Sequence, residues 1–464
     1  MARVLIFAKG GKALDPARYR TPDDRVVETR FPEHVARQWF APEGIDRAFA
    51  LLTEKAEAAW AELLQSGWPD EVKPEPVRIP DTASEQDLWT IFQTIGDCVS
   101  PGDEVILDIT NGFRSIPLVA ILAVSYIRVV KRARLMGLGY GAFEVKDAAG
   151  VSPYQDLTAM ARLLDWTSAV EAFDTHGYGK SLSSLIAEVK HQAFSGAGNM
   201  PRDERPKHLD KLATQLENFT LAIETLRHQH AATAAEELDA ALLQALAHDV
   251  DSRLIRPMRL LEPRIREVAR PFISASPGVT LQTAMLDWLF ERQMWAPYLS
   301  LLHEHLAEHL AEAFGFESVL GGHDVLGREV HLWCDQLLGA VKTYQDIAKG
   351  KADPGKIRAP GLRGTRSDDA ELLEKFDRYQ RFEMMTLLGS FVDVPANQDV
   401  LKLSEQIRST RNSLMHGGLG LDPGAVTANK LRHKIEGYHA AYKALPRPLF
   451  HVDLARLEGL GVPD

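Results

Sequence analysis

A short stretch near the carboxyl end of the chain contains side chains that could cleave a phosphodiester. Arg411 and His416 lie five positions apart, and Gly417-Gly418 directly follows the histidine. Glycines commonly end a helix, and the helix dipole stabilises a protonated histidine in the last turn. An imidazole can exchange protons with a ribose 2′-hydroxyl or a leaving oxygen, while a guanidinium can stabilise a charged phosphorane. The pattern indicates acid–base chemistry on an anion; an exposed helix end with a capping histidine is the alternative.

The element that must position these residues is a helix over about residues 398–416. Its apolar side chains recur near one face, whereas polar side chains spaced four residues apart form a stripe on another face. The apolar set is Leu403, Ile407 and Leu414, and the polar set is Arg408, Asn412 and His416. The spacing therefore predicts that one face packs on neighbouring helices while the polar stripe can meet a substrate.

A second candidate site follows the apolar run that starts at Glu104. Polar and small side chains come directly after this run, and a helical apolar period begins at Ile116. The loop contains Asp108, Thr110, Asn111, Gly112 and Arg114. Open α/β sheets bind ligands at the carboxyl ends of their strands. Backbone N–H groups at a helix start, a close-approach glycine and an arginine predict an anion site here, and a plain helix cap is the alternative.

The first strand-like run, Arg3 to Phe7, leads into another glycine-rich and positively charged loop that contains Gly10 and Gly11. This loop lacks the GxGxxG pattern. Strand-like and helix-like segments alternate over the first ~160 residues, which predicts a Rossmann-like parallel sheet. Further strands are predicted near 25–31, 77–79 and 134–140 with a hairpin-type turn over 147–150, and helices from Ile45 to Leu63, from Glu85 after a Ser84 capping box, and from Ile116.

Beyond Asp156 the apolar pattern is helical throughout. Helices are predicted over about 208–248, 253–270, 279–313, 329–349, 367–391, 398–416 and 424–443, with a basic loop over 350–366. Within this half, His305 and His309 lie one turn apart and could bind a metal together, with His303 nearby. The neighbouring glutamates favour a solvated helix face instead. The fold class is therefore α/β followed by all-α.

Composition excludes several classes of protein. The chain has 464 residues, with 45% hydrophobic and 25% charged residues, which is typical of globular domains. A net charge of −11 argues against a protein that coats nucleic acid by bulk electrostatics. Two distant cysteines, Cys98 and Cys334, indicate neither a disulfide framework nor a thiolate metal site. No apolar run reaches the roughly 18 residues of a membrane span, and no signal peptide is recognisable, so we expect a cytoplasmic protein.

The loop after Glu104 resembles a known ligand motif. Asp108-Ile-Thr-Asn-Gly-Phe-Arg114, between an apolar strand and an apolar helix, resembles the motif of CARF domains, which are Rossmann-like sensors of cyclic oligoadenylate in type III CRISPR systems. Leu88-Trp89-x-Ile-Phe92 upstream, and Tyr140-Gly141-Ala142 with Pro153-x-x-Asp156-Leu-Thr158 downstream, are similar to the same family in the same order. Many CARF proteins carry histidine at the position of Asn111.

The carboxyl-terminal motif resembles a second family. Arg411-Asn412-x-x-x-His416 is similar to the RxxxxH motif of HEPN ribonucleases, including the polar residue after the arginine. Together the resemblances imply a CARF-like sensor over 1–165, a helical linker or insertion over 166–390 and HEPN catalytic helices over 391–464. The HEPN domain would also include helices from 166–390.

These resemblances imply an endoribonuclease of type III CRISPR antiviral defence, activated by cyclic oligoadenylate, with cyclic tetra-adenylate favoured. Arg411 and His416 would cut single-stranded RNA without metal or other cofactor, leaving a 2′,3′-cyclic phosphate and a 5′-hydroxyl, and Asn412 would orient the site. The adenylate pocket would be lined by Gly10, Gly11, Thr110, Asn111, Gly112 and Arg114. HEPN sites are composite, which implies a homodimer or a higher oligomer of dimers.

Three alternatives remain open at this point. One is a CARF protein whose HEPN half is catalytically degenerate. Another is a CARF-containing transcription regulator, for which the sequence lacks a winged-helix segment with a basic recognition helix. The third is a nucleotide-dependent metabolic enzyme, which the missing GxGxxG pattern and the missing acidic ribose partner disfavour.

Overall fold

The chain folds into two compact units. The computed structural model describes residues 1–9, 16–57, 60, 72–81, 84–111, 116–194, 208–248, 256–275, 279–316, 325–357, 370–415 and 428–458. The α/β unit comprises Met1–Glu171, Ser184–Leu209 and Ala245–Glu262, and the helical unit comprises Ala172–Ser183, Asp210–Gln244 and Pro263–Asp464. The predicted class, α/β plus all-α, agrees with these two units.

The α/β unit is built on an eight-stranded sheet. Its strands are β1 (Arg3–Lys9), β2 (Ala17–Arg20), β3 (Val26–Thr29), β4 (Arg47–Leu52), β5 (Glu75–Arg78), β6 (Glu104–Asp108), β7 (Arg134–Gly141) and β8 (Val151–Asp156). Their spatial order is β3-β2-β8-β7-β6-β1-β4-β5. The run from β5 to β7 is parallel, as predicted, whereas β8 is antiparallel to β7 and β3 is antiparallel to β2. The sheet is therefore mixed, because the short connection from β7 to β8 can form only an antiparallel pair.

Both faces of the central strands are buried, which explains their continuous apolar runs. On β1, Val4 and Ile6 join the core under one face, while Leu5 and Phe7 join the core under the other. The helices in this part of the chain are α1 (Pro32–Phe40), α2 (Glu85–Asp97), α3 (Ile116–Val130), α4 (Thr158–Ala161), α5 (Leu163–His176) and α6 (Lys180–Phe194). Helices α5 and α6 each contain residues of both units. The predicted capping box is confirmed, since Ser84 and Asp87 exchange side chain-to-backbone hydrogen bonds.

One predicted helix is wrong. Residues Arg47–Leu52 form strand β4 between β1 and β5, although Ile45, Phe49 and Leu52 recur at helical spacing. Every residue from Ala48 to Leu52 is buried, so the run belongs to a strand covered on both faces. A short, fully buried strand and a buried helix have the same apolar content, and period alone did not separate them.

Helix α3 presents an exposed apolar row, which we call the α3 stripe. Leu118, Leu122, Tyr126 and Val129 are 64%, 51%, 44% and 79% exposed and follow one another at helical spacing. Phe92 of α2 lies 5.1 Å from Tyr126, ring centre to ring centre, and so borders the stripe. A contiguous exposed apolar surface of this kind is typical of an interaction site.

Strands are absent beyond Asp156 in the described part of the chain, as predicted. The remaining helices are α7 (Leu209–Glu224), α8 (His228–His248), α9 (Arg256–Ile273), α10 (Val279–Glu291), α11 (Trp295–Ala313), α12 (Val325–Ala348), α13 (Ala370–Gln380), α14 (Met384–Val392), α15 (Gln398–Met415), α16 (Ala428–Ala444) and α17 (Leu454–Glu458). Helix α11 is central to the helical unit and packs against α10, α12, α15 and α16. Within the described ranges, no helix has the length and apolarity needed to cross a bilayer.

The histidines of α11 are buried, so the predicted solvated face is wrong. His305 is fully buried, with its two ring nitrogens 2.7 Å from the Gln282 side-chain oxygen and 2.8 Å from the Tyr442 hydroxyl. His309 lies 2.7 Å from Glu312. Because α11 is covered by other helices, its polar side chains find protein partners rather than water.

Each unit contains one buried thiol. Cys98 lies in the α/β unit, where burial raises its pKa to about 11, and Cys334 lies in the helical unit, where burial raises its pKa well above the usual range. Both cysteines are therefore protonated side chains of the core.

Candidate functional site

The two loops that the sequence indicates leave the sheet at the same edge. Strands β1 and β6 are parallel neighbours, with Phe7 paired to Asp108, so their carboxyl ends lie side by side. Gly10, Gly11, Gly112 and Arg114 lie outside the described residues. Their flanking residues Lys9 and Asn111 are described and place the starts of both loops at one edge. This is the position at which open α/β sheets bind ligands.

Asp108 holds the start of the second loop in place. Its carboxylate is buried and accepts hydrogen bonds from the Tyr154 hydroxyl (2.6 Å) and the Thr110 backbone N–H (3.0 Å). Burial raises the pKa of Asp108, and these hydrogen bonds oppose the rise. A side chain at Gly139 would collide with Tyr154, so the glycine permits this contact. Asp108 therefore holds the backbone at the start of the loop in place.

Thr110 also has a structural partner. Its hydroxyl oxygen accepts a hydrogen bond of 2.8 Å from the Gly141 backbone N–H, which joins the loop after β6 to the end of β7. Asn111 is half-buried, and its side-chain N–H₂ group has no hydrogen-bond partner among the described residues. Of the two predicted contacts, Asn111 is thus the one with unused donors at this edge.

Beneath the edge lies a buried acid that the sequence analysis did not select. Glu33 of α1 is completely buried, and neither carboxylate oxygen has a hydrogen-bond partner in the described ranges. Burial raises the pKa of Glu33 to about 7; the charge of Lys9 opposes the rise, while that of Asp108 adds to it. Lys9 itself is buried with its ammonium 4.7 Å from the Phe31 ring centre.

Glu33→Gln should stabilise the chain at alkaline pH and much less in acid. The pKa of Glu33 is about 7 in the folded chain against an ordinary value of 4.5. Glu33 therefore costs the folded chain no stability below pH 4.5, where the carboxyl group is neutral in both the folded and the unfolded chain. The folded chain loses stability as pH rises through 7. We expect the variant to gain up to about 3 kcal/mol in free energy of unfolding at pH 8.5 and under about 1 kcal/mol at pH 5. Urea unfolding at both pH values checks this, with the exposed Glu28→Gln as control; equal gains at both would contradict the assignment.

In the helical unit, Arg411 lies on the described part of α15, directly after a buried residue of the face that packs on other helices. Ile407 is buried and Thr410 hydrogen-bonds with Tyr438 of α16 at 2.8 Å, which fixes the rotation of α15. Arg411 is consequently half-buried and Asn412 is exposed. His416, the next residue after the described part of α15, lies outside the described residues. The structure thus bears on two of the three predicted catalytic residues.

Two residues that sequence analysis missed lie at Arg411. A guanidinium nitrogen of Arg411 is 3.7 Å from one carboxylate oxygen of Glu304 on α11. The other oxygen of Glu304 accepts a short hydrogen bond from Nε2 of His331 on α12. Three helices therefore bring a carboxylate, a histidine and an arginine to one place. Neither Nε of Arg411 nor Nδ1 of His331 has a hydrogen-bond partner among the described side chains and backbone.

A second histidine–carboxylate pair joins the same two helices. His303 of α11 lies 2.8 Å from Asp335 of α12, and the hydrogen bond from His303 lowers the pKa of Asp335. The charge of Arg408 also acts on Asp335. In the described part of the chain, no group of three or more potential ligands is placed to hold a metal ion.

The missed residues carry no local signal in the sequence. His331 and Glu304 are 27 positions apart, and neither forms a motif with Arg411. A buried contact between distant positions follows from helix packing, which periodicity does not specify. Glu33 sits in the first turn of a helix, where an acid is unremarkable on the grounds of helix capping alone.

Comparison with known proteins adds one partial similarity. No protein-family model matches the chain. Over 105 residues, the chain is 31% identical to the CRISPR-associated protein MJ1674 of Methanocaldococcus jannaschii. The aligned stretch covers 22% of this chain and 17% of that protein, so it spans less than a fifth of the relative's length.

Proposed function

We propose that the protein is a metal-independent endoribonuclease of CRISPR antiviral defence that cuts single-stranded RNA and is activated by a cyclic oligoadenylate. The observation that carries the proposal is Arg411, half-buried on α15 beside an ionised carboxylate and a histidine, five positions before His416. The partial similarity to a protein described as CRISPR-associated supports the biological setting. The resemblance to CARF and HEPN motifs supplies the sensor and nuclease roles.

The reaction needs only an internal nucleophile. A base takes the proton of the ribose 2′-hydroxyl, and the 2′-oxygen forms a bond to phosphorus as the bond to the 5′-oxygen breaks. An acid then gives a proton to the departing 5′-oxygen, which leaves a 2′,3′-cyclic phosphate and a 5′-hydroxyl. His416 is assigned one proton-transfer role and Arg411 stabilises the charge on phosphorus. Asn412, which is exposed, is free to contact the RNA.

We assign the proposed sensor to the carboxyl ends of β1 and β6. The two loops that leave this edge carry Gly10, Gly11, Gly112 and Arg114, and the unused amide of Asn111 adds donors for an adenylate. Helix α3 follows the second loop, so an anion held there would benefit from backbone N–H groups at its start. We assign cyclic tetra-adenylate as the activator.

We propose that the active form is a homodimer. A symmetric ring is bound most simply on a two-fold axis, by the same loop from each subunit. The α3 stripe begins two residues into the helix that follows the Arg114 loop, so it offers exposed apolar side chains close in sequence to the proposed sensor loop. Exposed rows of apolar side chains are typical of surfaces that a partner covers. Light scattering that reports an active monomer would contradict this placement.

The decisive experiment is RNA cleavage in EDTA. We expect the full-length chain to cut single-stranded RNA in the presence of chelator, faster when cyclic tetra-adenylate is added. A substrate with a single 2′-deoxy nucleotide at the cut site should resist cleavage at that position, because its nucleophile is missing. Cleavage of the deoxy position at the normal rate would exclude the mechanism. Binding of the activator without any cleavage would favour the alternative, a ligand-binding regulator with a degenerate HEPN half.

A further inference from the structure

The carboxylate of Glu304 is shared between two cationic side chains from different helices. One oxygen accepts the hydrogen bond from His331, and the other faces Arg411 at 3.7 Å, beyond ordinary hydrogen-bond distance. Arg411 is thus attracted by the carboxylate but is not locked to it. Since a guanidinium must bind the RNA phosphate to be useful, whatever controls the charge of Glu304 also controls how freely Arg411 can do so.

His331 is placed to control that charge. It lies on α12 with Nε2 on the carboxylate and with Nδ1 buried and without a hydrogen-bond partner in the described ranges. A protonated His331 neutralises Glu304, which releases Arg411 for an anion. A neutral His331 leaves Glu304 with its full negative charge, which draws Arg411 away from the phosphate.

The carboxylates around His331 favour its protonated form. Burial alone would lower the pKa of His331, but the hydrogen bond and charge of Glu304, together with Glu308 and Asp335, raise it. Glu304 and Glu308 face it from α11, and Asp335 from its own helix. On α15, Arg411 lies behind Glu304, and Arg408 acts on Asp335. Helix α14, which also packs on α12, has no titratable side chain in Met384–Val392.

We infer that Glu304 and His331 form a positioning pair for Arg411, in which protonation of His331 releases the guanidinium to bind the RNA phosphate. This inference rests on the proposed ribonuclease function and adds two residues to its site. Neither residue is assigned contact with the RNA: both act through Arg411. A consequence is an alkaline limit on RNA binding and cleavage that comes from α12 and not from His416.

His331→Gln tests the inference because it keeps a hydrogen-bond donor but cannot carry charge. At pH 6.5 we expect the variant to bind an uncleavable 2′-deoxy-substituted RNA on the order of tenfold more weakly than wild type, with a matching loss in kcat/KM. As pH rises and wild-type His331 loses its proton, the two affinities should converge to within about twofold. Fluorescence anisotropy gives the affinities and product analysis gives the rates.

A double-mutant cycle separates this role from simple packing. In a Glu304→Gln background the carboxylate charge is absent, so adding His331→Gln should change RNA affinity by less than about twofold at pH 6.5. His309→Gln is the matched control, since His309 pairs with Glu312 on α11 and neither member of this pair is among the groups that act on Glu304 or His331. We expect it to leave the pH dependence of RNA binding unchanged.

The outcomes distinguish this inference from the proposed function. A wild-type chain that neither binds nor cuts RNA would refute the proposed function itself. A wild-type chain that cuts RNA, with His331→Gln showing the same pH profile or with the two substitutions additive, would overturn the positioning pair alone. If Glu304→Gln fails to fold, Glu304→Asp, which retains the charge with a shorter reach, should keep the pH dependence while weakening affinity.

Discussion

Arg411→Ala is expected to lower the rate of RNA cleavage by roughly 10²- to 10³-fold, the scale of losing one group that stabilises transition-state charge. Arg411→Lys should recover only part of this loss, because an ammonium cannot donate two parallel hydrogen bonds to a phosphate. The guanidinium is half-buried and already faces a carboxylate, so the alanine variant also leaves Glu304 without its second cation. Single-turnover cleavage with saturating cyclic tetra-adenylate gives the rate of the chemical step.

The controls for Arg411 test specificity within the helical unit. Arg378→Ala removes the same charge from an exposed position of α13 and should leave the rate within about twofold. Affinity for the activator should be the same in Arg411→Ala and in wild type, since the proposed sensor loops belong to the other unit. A rate that Arg411→Ala leaves unchanged would show that the RxxxxH motif is not the catalytic centre.

The second large effect is expected in the sensor. Arg114→Ala should weaken binding of cyclic tetra-adenylate by roughly 10- to 100-fold, because a charge-assisted hydrogen bond contributes about 1.5–3 kcal/mol. Calorimetry on the full-length chain measures the affinity. Cleavage at saturating activator should be close to that of wild type, since the catalytic residues are untouched.

Arg132→Ala is the matched control for the sensor, because Arg132 is exposed and precedes β7 at the opposite edge of the sheet. It removes one positive charge at a distance from the loops and should bind the activator as wild type does. Thr110 is a poorer probe than Arg114, since its hydroxyl also holds Gly141. Equal affinity of Arg114→Ala and wild type for the activator would contradict the assignment of the binding pocket to this edge of the sheet.

The elements that could be predicted from the sequence are those whose signals are local. The Ser84 capping box, the helix after Ile116 and the helix that carries Arg411 each combine a period with a recognisable start or end, and each was confirmed. Strand β4 was missed because its identity depends on being covered by β1 and β5, which lie elsewhere in the chain. The spacing of apolar residues distinguishes a helix from a strand only when one face of the element is buried and the other is exposed.

The candidate sites show the same limit. Adjacent loops at one sheet edge follow from parallel strand order, so their proximity could be anticipated from Lys9 and Asp108. The partners of Arg411 could not, because Glu304 and His331 come from two other helices and meet it only through packing. The same packing buries the α11 histidines, which their glutamate neighbours had suggested were solvated.

The two buried cysteines allow the local unfolding of each unit to be measured separately. A thiol that is buried and protonated reacts with an alkylating reagent only when the structure around it opens. Because Cys98 belongs to the α/β unit and Cys334 to the helical unit, the alkylation rates of the two sites, resolved by peptide mass spectrometry, give two separate opening free energies from one sample without any engineered probe. A ligand bound at the proposed sensor should slow labelling of Cys98, and the simultaneous change at Cys334 measures how much of that stabilisation reaches the helical unit.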